Sequence, residues 1–230
     1  MKGNISLIAP NRSRSHIMGK ILPVVIVACL PWSSDSGGGQ HGEAVIAIHL
    51  SSDVHVKDGC GVPTPPCDSL LHTSGEAQST NYFAYVLVAK ADPTLGIGGA
   101  SFGIHHGQSL GLFGWNRCAP SGTSNEEWER SRSAISVTWD STRCQRSQPG
   151  RPSNGSIACV GFFYLAAYSP SHLSITPHPL NGKAVVLDCS GDTTVVATRS
   201  DSSSLRLGTV SFGPRDSSYN PCGPIPRKRP

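Results

Sequence analysis

Between Tyr82 and Ala89 the side chains alternate, Tyr82, Ala84, Val86 and Val88 on one face and Phe83, Tyr85, Leu87 and Ala89 on the other. A period of two is the mark of a β-strand. This stretch opens a longer segment, Tyr82–Trp115, that carries much of the apolar material outside the leader. Lys90–Pro93 ends the first strand and Leu95–Gly99 turns the chain. Ala100–His105 reads as a second strand and Ser109–Trp115 as a third, with a bulge expected at Gly111 or Gly114. With 25 Gly and 18 Pro among 230 residues, turns are abundant and long helices are disfavoured.

The rest of the chain repeats this grammar. Ala44–Leu50 is apolar on both faces, as a buried strand is. Residues 51–80, polar and rich in Pro, Gly, Ser and Thr, read as a long surface loop. Ala134–Trp139, Ile157–Tyr168, Leu173–Thr176, Gly182–Asp188, Thr194–Thr198 and Arg206–Phe212 are further strands at the turn spacing of a sandwich. Ser121–Arg132 is the one expected helix, with Ser124 and Glu127 as a capping box. The expected fold is mainly β: a single antiparallel β-sandwich, jelly-roll or Ig-like in plan, with one short helix and about three disulfides.

Domain organisation follows from composition. Ile21–Cys29 is a short apolar run after a basic segment, shorter than the roughly 20 residues a spanning helix needs. Residues 1–29 therefore read as a secretory signal. Ile26-Val27-Ala28-Cys29 resembles a lipobox, which would make Cys29 a lipidation site and the only route to a membrane; the alternative is an ordinary signal cut a little downstream, with Cys29 discarded. Residues 30–43 read as a flexible tether, 44–222 as the sandwich, and 223–230 as a basic tail. The four basic residues before position 30 leave 15 basic against 15 acidic residues of the original 19. Arg227–Arg229 is then the one basic cluster, so nucleic acid is not an expected partner.

Eight cysteines in an exported chain imply disulfides. Context suggests Cys60 with Cys67, closing the Pro-rich loop between them. It suggests Cys118 with Cys144, each just outside a strand, and Cys189 with Cys222, tying the last strands to the C-terminus. Cys159, inside the apolar run SIACVGFFYLAAY, is expected as a buried free thiol.

Candidate chemistry is sparse. Gly107–Gly111 matches the G-x-S-x-G nucleophile elbow, which would make Ser109 the nucleophile of an extracellular serine hydrolase. That mechanism needs a strand, a sharp turn and a helix, and the residues after Ser109 read as strand. Asp140 with His172 or His178 could complete such a set. His105-His106 could bind metal, but neighbours on a strand point to opposite faces. Asp92, Asp140, Asp188 and Asp192 sit at strand ends, where structural calcium is conceivable; no other cofactor is expected. Among Trp115, Trp128, Trp139 and Tyr219, the first and third end core strands, leaving Trp128 and Tyr219 as candidate ligand-binding aromatics.

Tyr85–Val88, Gly96-Ile97-Gly98 and Phe102-Gly103-Ile104, with Gly208–Phe212 as a closing strand, give a pattern that resembles cohesins and related carbohydrate-binding-type sandwiches. The layout also resembles uncharacterised secreted bacterial proteins. The resemblance covers residues 80–212 and implies a sandwich that binds or displays. The expectation is a non-catalytic secreted or cell-surface module, not an enzyme, that meets another extracellular protein or a polysaccharide through exposed aromatics.

Overall fold

The structure is a computed structural model that describes residues 41–52, 59–61, 65–67, 71–78, 80–124, 132–146, 155–201, 205–214 and 218–223. The leader, Cys29, most of the tether, Trp128 and the basic tail lie outside these residues. Among the described residues twelve strands form two sheets. The four-stranded sheet runs β1 (Val45–Ser51), β3 (Asn81–Ala91), β8 (Ser156–Ala167), β5 (Leu110–Arg117), all antiparallel.

The larger sheet is centred on β4 (Gly99–His106). One edge of β4 pairs with β7 (Arg132–Thr138), which carries β6 (Ser121–Ser124) beyond it. Along the other edge lie β9 (Ser171–Thr176) and β10 (Lys183–Leu187), end to end. Outside them run β12 (Thr209–Phe212) and β11 (Thr193–Thr198), and the short β2 (Ser74–Gly75) adds to β12 in parallel. Ile46 N–H donates to the Arg206 carbonyl and Gly208 N–H to the Ile46 carbonyl, so residues 206–208 seam the two sheets together.

The alternation of β3 sorts as its sequence dictates. Tyr82, Ala84, Val86 and Val88 enter the core between the sheets, with Phe102, Ile104, Ile135, Phe163, Leu165, Leu173, Val210 and Phe212. Phe83, Tyr85, Leu87 and Ala89 face outward. Strand β8 keeps two useful faces only by slipping register. Val86 pairs with Gly161 and Leu87 with Cys159, so Val160 is an extra residue and Cys159 and Phe162 share the outer face. In β5 the extra residue is Phe113, between Leu112 and Gly114, next to one of the two glycines where a bulge was expected.

A second apolar cluster covers half of that outer face. Val45, Ala47, Tyr85, Leu87 and Phe162 are roofed by Cys67, Leu71 and Cys222. The 3-10 turn Gly59–Gly61 lies on Phe162; a Cβ on Gly59 would meet that ring at 2.5 Å. Residues 51–80 are thus not simply a surface loop, because part of the segment is a lid on the four-stranded sheet.

The bridges explain how the lid is held, and they correct the expected pairing. Cys60 joins Cys118, Cys67 joins Cys222, and Cys144 joins Cys189, while Cys159 is free. The cysteines joined are those expected, but no expected pair is formed. Local closure of the Pro-rich loop is replaced by two bridges that carry its cysteines to the end of β5 and to the C-terminal segment. Each bridge spans 45 residues or more, and a long closed loop constrains the unfolded chain more than a short one.

Two more expectations change. Ser121–Ser124 is strand, paired with β7, not the first turn of a helix; residues 125–131 lie outside the described residues. The body also begins before residue 44. His41 is 1% exposed, accepts the Asp92 backbone N–H at Nδ1, and donates its own N–H to Thr194 Oγ1.

Candidate functional site

The lid leaves the other half of the outer face open. There Phe83 stacks edge-on to Phe162, and Tyr164 sits 5.4 Å from both Phe83 and Phe113. Phe113 keeps the outward side that alternation from Leu110 and Leu112 gives it and is 52% exposed, while the bulge there returns Trp115 to the core side against Phe163. Tyr168, just past β8, is 59% exposed. Gly111 lies beneath these two rings: a Cβ there would be 3.0 Å from Tyr168 and 3.3 Å from Phe113. The result is a chain of rings from the lid's edge at Phe162 to solvent at Phe113 and Tyr168. The sequence sets Phe83 on the face opposite Tyr82 but assigns no face within Ser109–Trp115 or Ile157–Tyr168, so the gathering of Phe113, Tyr164 and Tyr168 beside Phe83 is seen only in the structure.

A second concavity lies at the end of the sandwich where β5, β7 and the lid meet. It is a cleft of about 970 Å³, bounded by Trp115, Asn116, Arg117, Trp139, Arg143 and Gln145. Trp139 is its buried floor, and Trp115 is half-buried with its ring 4.6 Å from Phe163. Core positions were expected for both tryptophans; the structure adds that they share one cleft.

The remaining candidates go to structural duties. Ser109 sits in the turn between β4 and β5, where Leu110 N–H donates to the Gly107 carbonyl and strand follows directly. A nucleophile elbow requires a helix there, so Ser109 lacks the elbow geometry. Tyr219 is half-buried, exchanges backbone bonds with Thr209, and donates its hydroxyl to the Leu205 carbonyl. Burial raises its phenol pKa.

Asp92, Asp140 and Asp188 each cap their own turn. Asp92 accepts from Thr94, Asp140 from Thr142 and Arg143, and Asp188 from the Ser190 and Asp192 N–H groups. These bonds hold Asp92 and Asp140 below the ordinary carboxylate range, with the threonine hydroxyl the largest cause for each. No group of three metal-ligating side chains converges among the described residues. His105 pairs not with His106 but with His172 on the neighbouring strand, Nδ1 to Nε2 at 3.3 Å.

What these features define is a class: a mainly β, disulfide-stapled sandwich with a covered and an open outer face. Three disulfides suit an oxidising compartment. The structure is similar to a cohesin module of a Clostridium perfringens family 33 glycoside hydrolase, at 9% identity and TM-score 0.42 over 74% of this chain and 96% of that one. It is also similar to the sixth cohesin of Acetivibrio cellulolyticus scaffoldin B, solved with a Cel5 dockerin (10%, 0.43, 73% and 99%). A third is a non-cellulosomal cohesin from Archaeoglobus fulgidus (11%, 0.42, 75% and 94%). No family model matches the chain, and no curated protein matches it.

Proposed function

We propose that the chain is a non-catalytic binding module, exported by its leader, that engages another protein through the open aromatic half of its four-stranded sheet. The observation that carries this is the pair Phe113 and Tyr168, exposed side by side over Gly111 and backed by Phe83 and Tyr164. Large exposed aromatics backed by a rigid sheet are the anchors from which protein interfaces draw most of their binding energy. A polysaccharide on this face would want rings in one plane. Here Tyr164 is tilted 37° from Phe83 and 49° from Phe113, a ridged surface that suits side chains better than pyranose rings.

The test is site-specific photocrosslinking from Phe113, with Val195, exposed on β11, as the control position. With the exported proteins of the source cell present, Phe113 should give a discrete adduct with a second polypeptide that Tyr168→Ser abolishes. Equal adducts from both positions, or none from Phe113, would reject the proposal. Membrane attachment through lipid on Cys29 is a separate part of the reading, checked by the mass of the mature N-terminus.

A further inference from the structure

We propose that the cleft between β5 and β7 is a second binding site, specific for an acidic saccharide. It is independent of the protein-docking reading, which concerns the outer sheet face.

The cleft is held rigidly on every side. Arg117 donates from Nε to the Ala119 carbonyl, and from its terminal nitrogens to Gly122 and Pro120. The guanidinium is held in place yet two of its five N–H groups remain uncommitted to these carbonyls. Trp139 N–H is tied to the Gly98 carbonyl, and Gln145 exchanges both backbone bonds with Ile97. Two bridges close the walls, Cys60–Cys118 on the β5 side and Cys144–Cys189 behind Gln145. Gly161 lets the Trp115 ring seat against the β8 backbone, since a Cβ there would fall 2.5 Å from it. Such a site is pre-ordered, so binding sacrifices little chain entropy.

The chemistry of the walls then selects the ligand. The half-buried indole of Trp115 offers an apolar surface for the C–H face of a sugar ring. Asn116 and Gln145 carry amides, and Gln145 commits one N–H to the Arg143 carbonyl. The two cations on the rim are Arg117 and Arg143. The nearby carboxylate, Asp140, lies 3.8 Å from Arg143 and is already engaged by Thr142 and the Arg143 backbone. Among the described residues the rim therefore keeps a positive surplus. Apolar floor, amides and guanidinium together match a uronic acid, in which a carboxylate sits beside a pyranose face.

The probe is trigalacturonate, with cellotriose as the uncharged counterpart, titrated against the full chain by calorimetry and by tryptophan emission. Trigalacturonate should bind saturably and shift the emission. Cellotriose and the Arg143→Ala variant should each show affinity lower by about tenfold, the effect of one lost charge-assisted hydrogen bond. Arg143 is exposed and outside the core, and a melting curve checks that the variant is folded. Absent saturable binding of trigalacturonate, equal affinity for cellotriose, or undiminished affinity in folded Arg143→Ala would each overturn the assignment.

Discussion

The Cys159 sulfur lies 3.6 Å from the Cys118 sulfur of the Cys60–Cys118 bridge. A free thiol beside a disulfide can attack it, but only as thiolate. Burial pushes the Cys159 thiol up to about 12, with the Gly161 carbonyl contact a smaller opposing influence. In the native protein Cys159 should therefore resist iodoacetamide at pH 8 and be alkylated after denaturation, as a peptide map would read. Native-state alkylation of Cys159 at pH 8, or a Cys118–Cys159 peptide in a non-reducing map, would contradict this. The sign above neutrality follows. A folded pKa above the unfolded value of 9.0 means unfolding releases a proton, so this contribution is complete below pH 9 and is lost as pH rises towards 12.

The lid should depend on Cys67–Cys222, which closes 155 residues. By the chain-entropy relation, removing it with Cys67→Ser and Cys222→Ser should cost about 4–5 kcal/mol. Because this bridge roofs Tyr85 and Phe162, the double variant should also bind a hydrophobic dye before its main unfolding transition. A variant that melts with the parent and stays dye-silent would show that the roof is held without the bridge.

Among the described glycines, Gly98 leaves the least room for a Cβ. A Cβ there would stand 2.0 Å from the Asp188 carbonyl oxygen, and Gly98 also donates to Leu187 and accepts from Trp139. The obstacle is backbone, which cannot swing aside. Gly98→Ala should destabilise by about 3 kcal/mol or more, whereas Gly114→Ala, with nothing within 4 Å, should stay within about 1 kcal/mol. Chemical denaturation of the two variants side by side decides it; equal midpoints would mean the β4–β10 junction opens freely.

Much of the fold was legible because it rests on local periodicity. The two faces of Tyr82–Ala89 were readable from alternation alone, and so were the strands around them. What escaped was set by long-range geometry. Cys60 and Cys67 are near neighbours in sequence, yet one bonds the end of β5 and the other the C-terminal segment, and no local rule carries that. The expected helix failed at Ser121–Ser124 because a free edge of β7 was available to pair them, and tertiary pairing overrides a capping signal. Which residues share a face across β3, β5 and β8 escaped because the bulges at Phe113 in β5 and Val160 in β8 shift the register, and a period-of-two reading assumes that register is constant.

His41 makes the fold sensitive to acid. It is buried and neutral: Nδ1 accepts the Asp92 N–H, so the ring proton sits on Nε2, which has no hydrogen-bond partner among the described residues. Burial lowers its pKa from 6.5, and the charges of Asp188 and Asp92, which face it, only partly oppose that. His49 and His178 are lowered by burial as well, His49 also by the neighbouring His72. Each group binds its proton more readily in the unfolded chain, so stability is full above pH 6.5 and falls as pH drops below it. Asp92 and Asp140 add nothing in that window, since their loss begins only near the ordinary carboxylate value of 3.8. Urea midpoints should therefore decline between pH 7.5 and 5, and His41→Gln should flatten the slope whatever its effect on the midpoint at pH 7.5. Parallel pH profiles for parent and variant would mean that His41 takes up its proton inside the fold as easily as outside it.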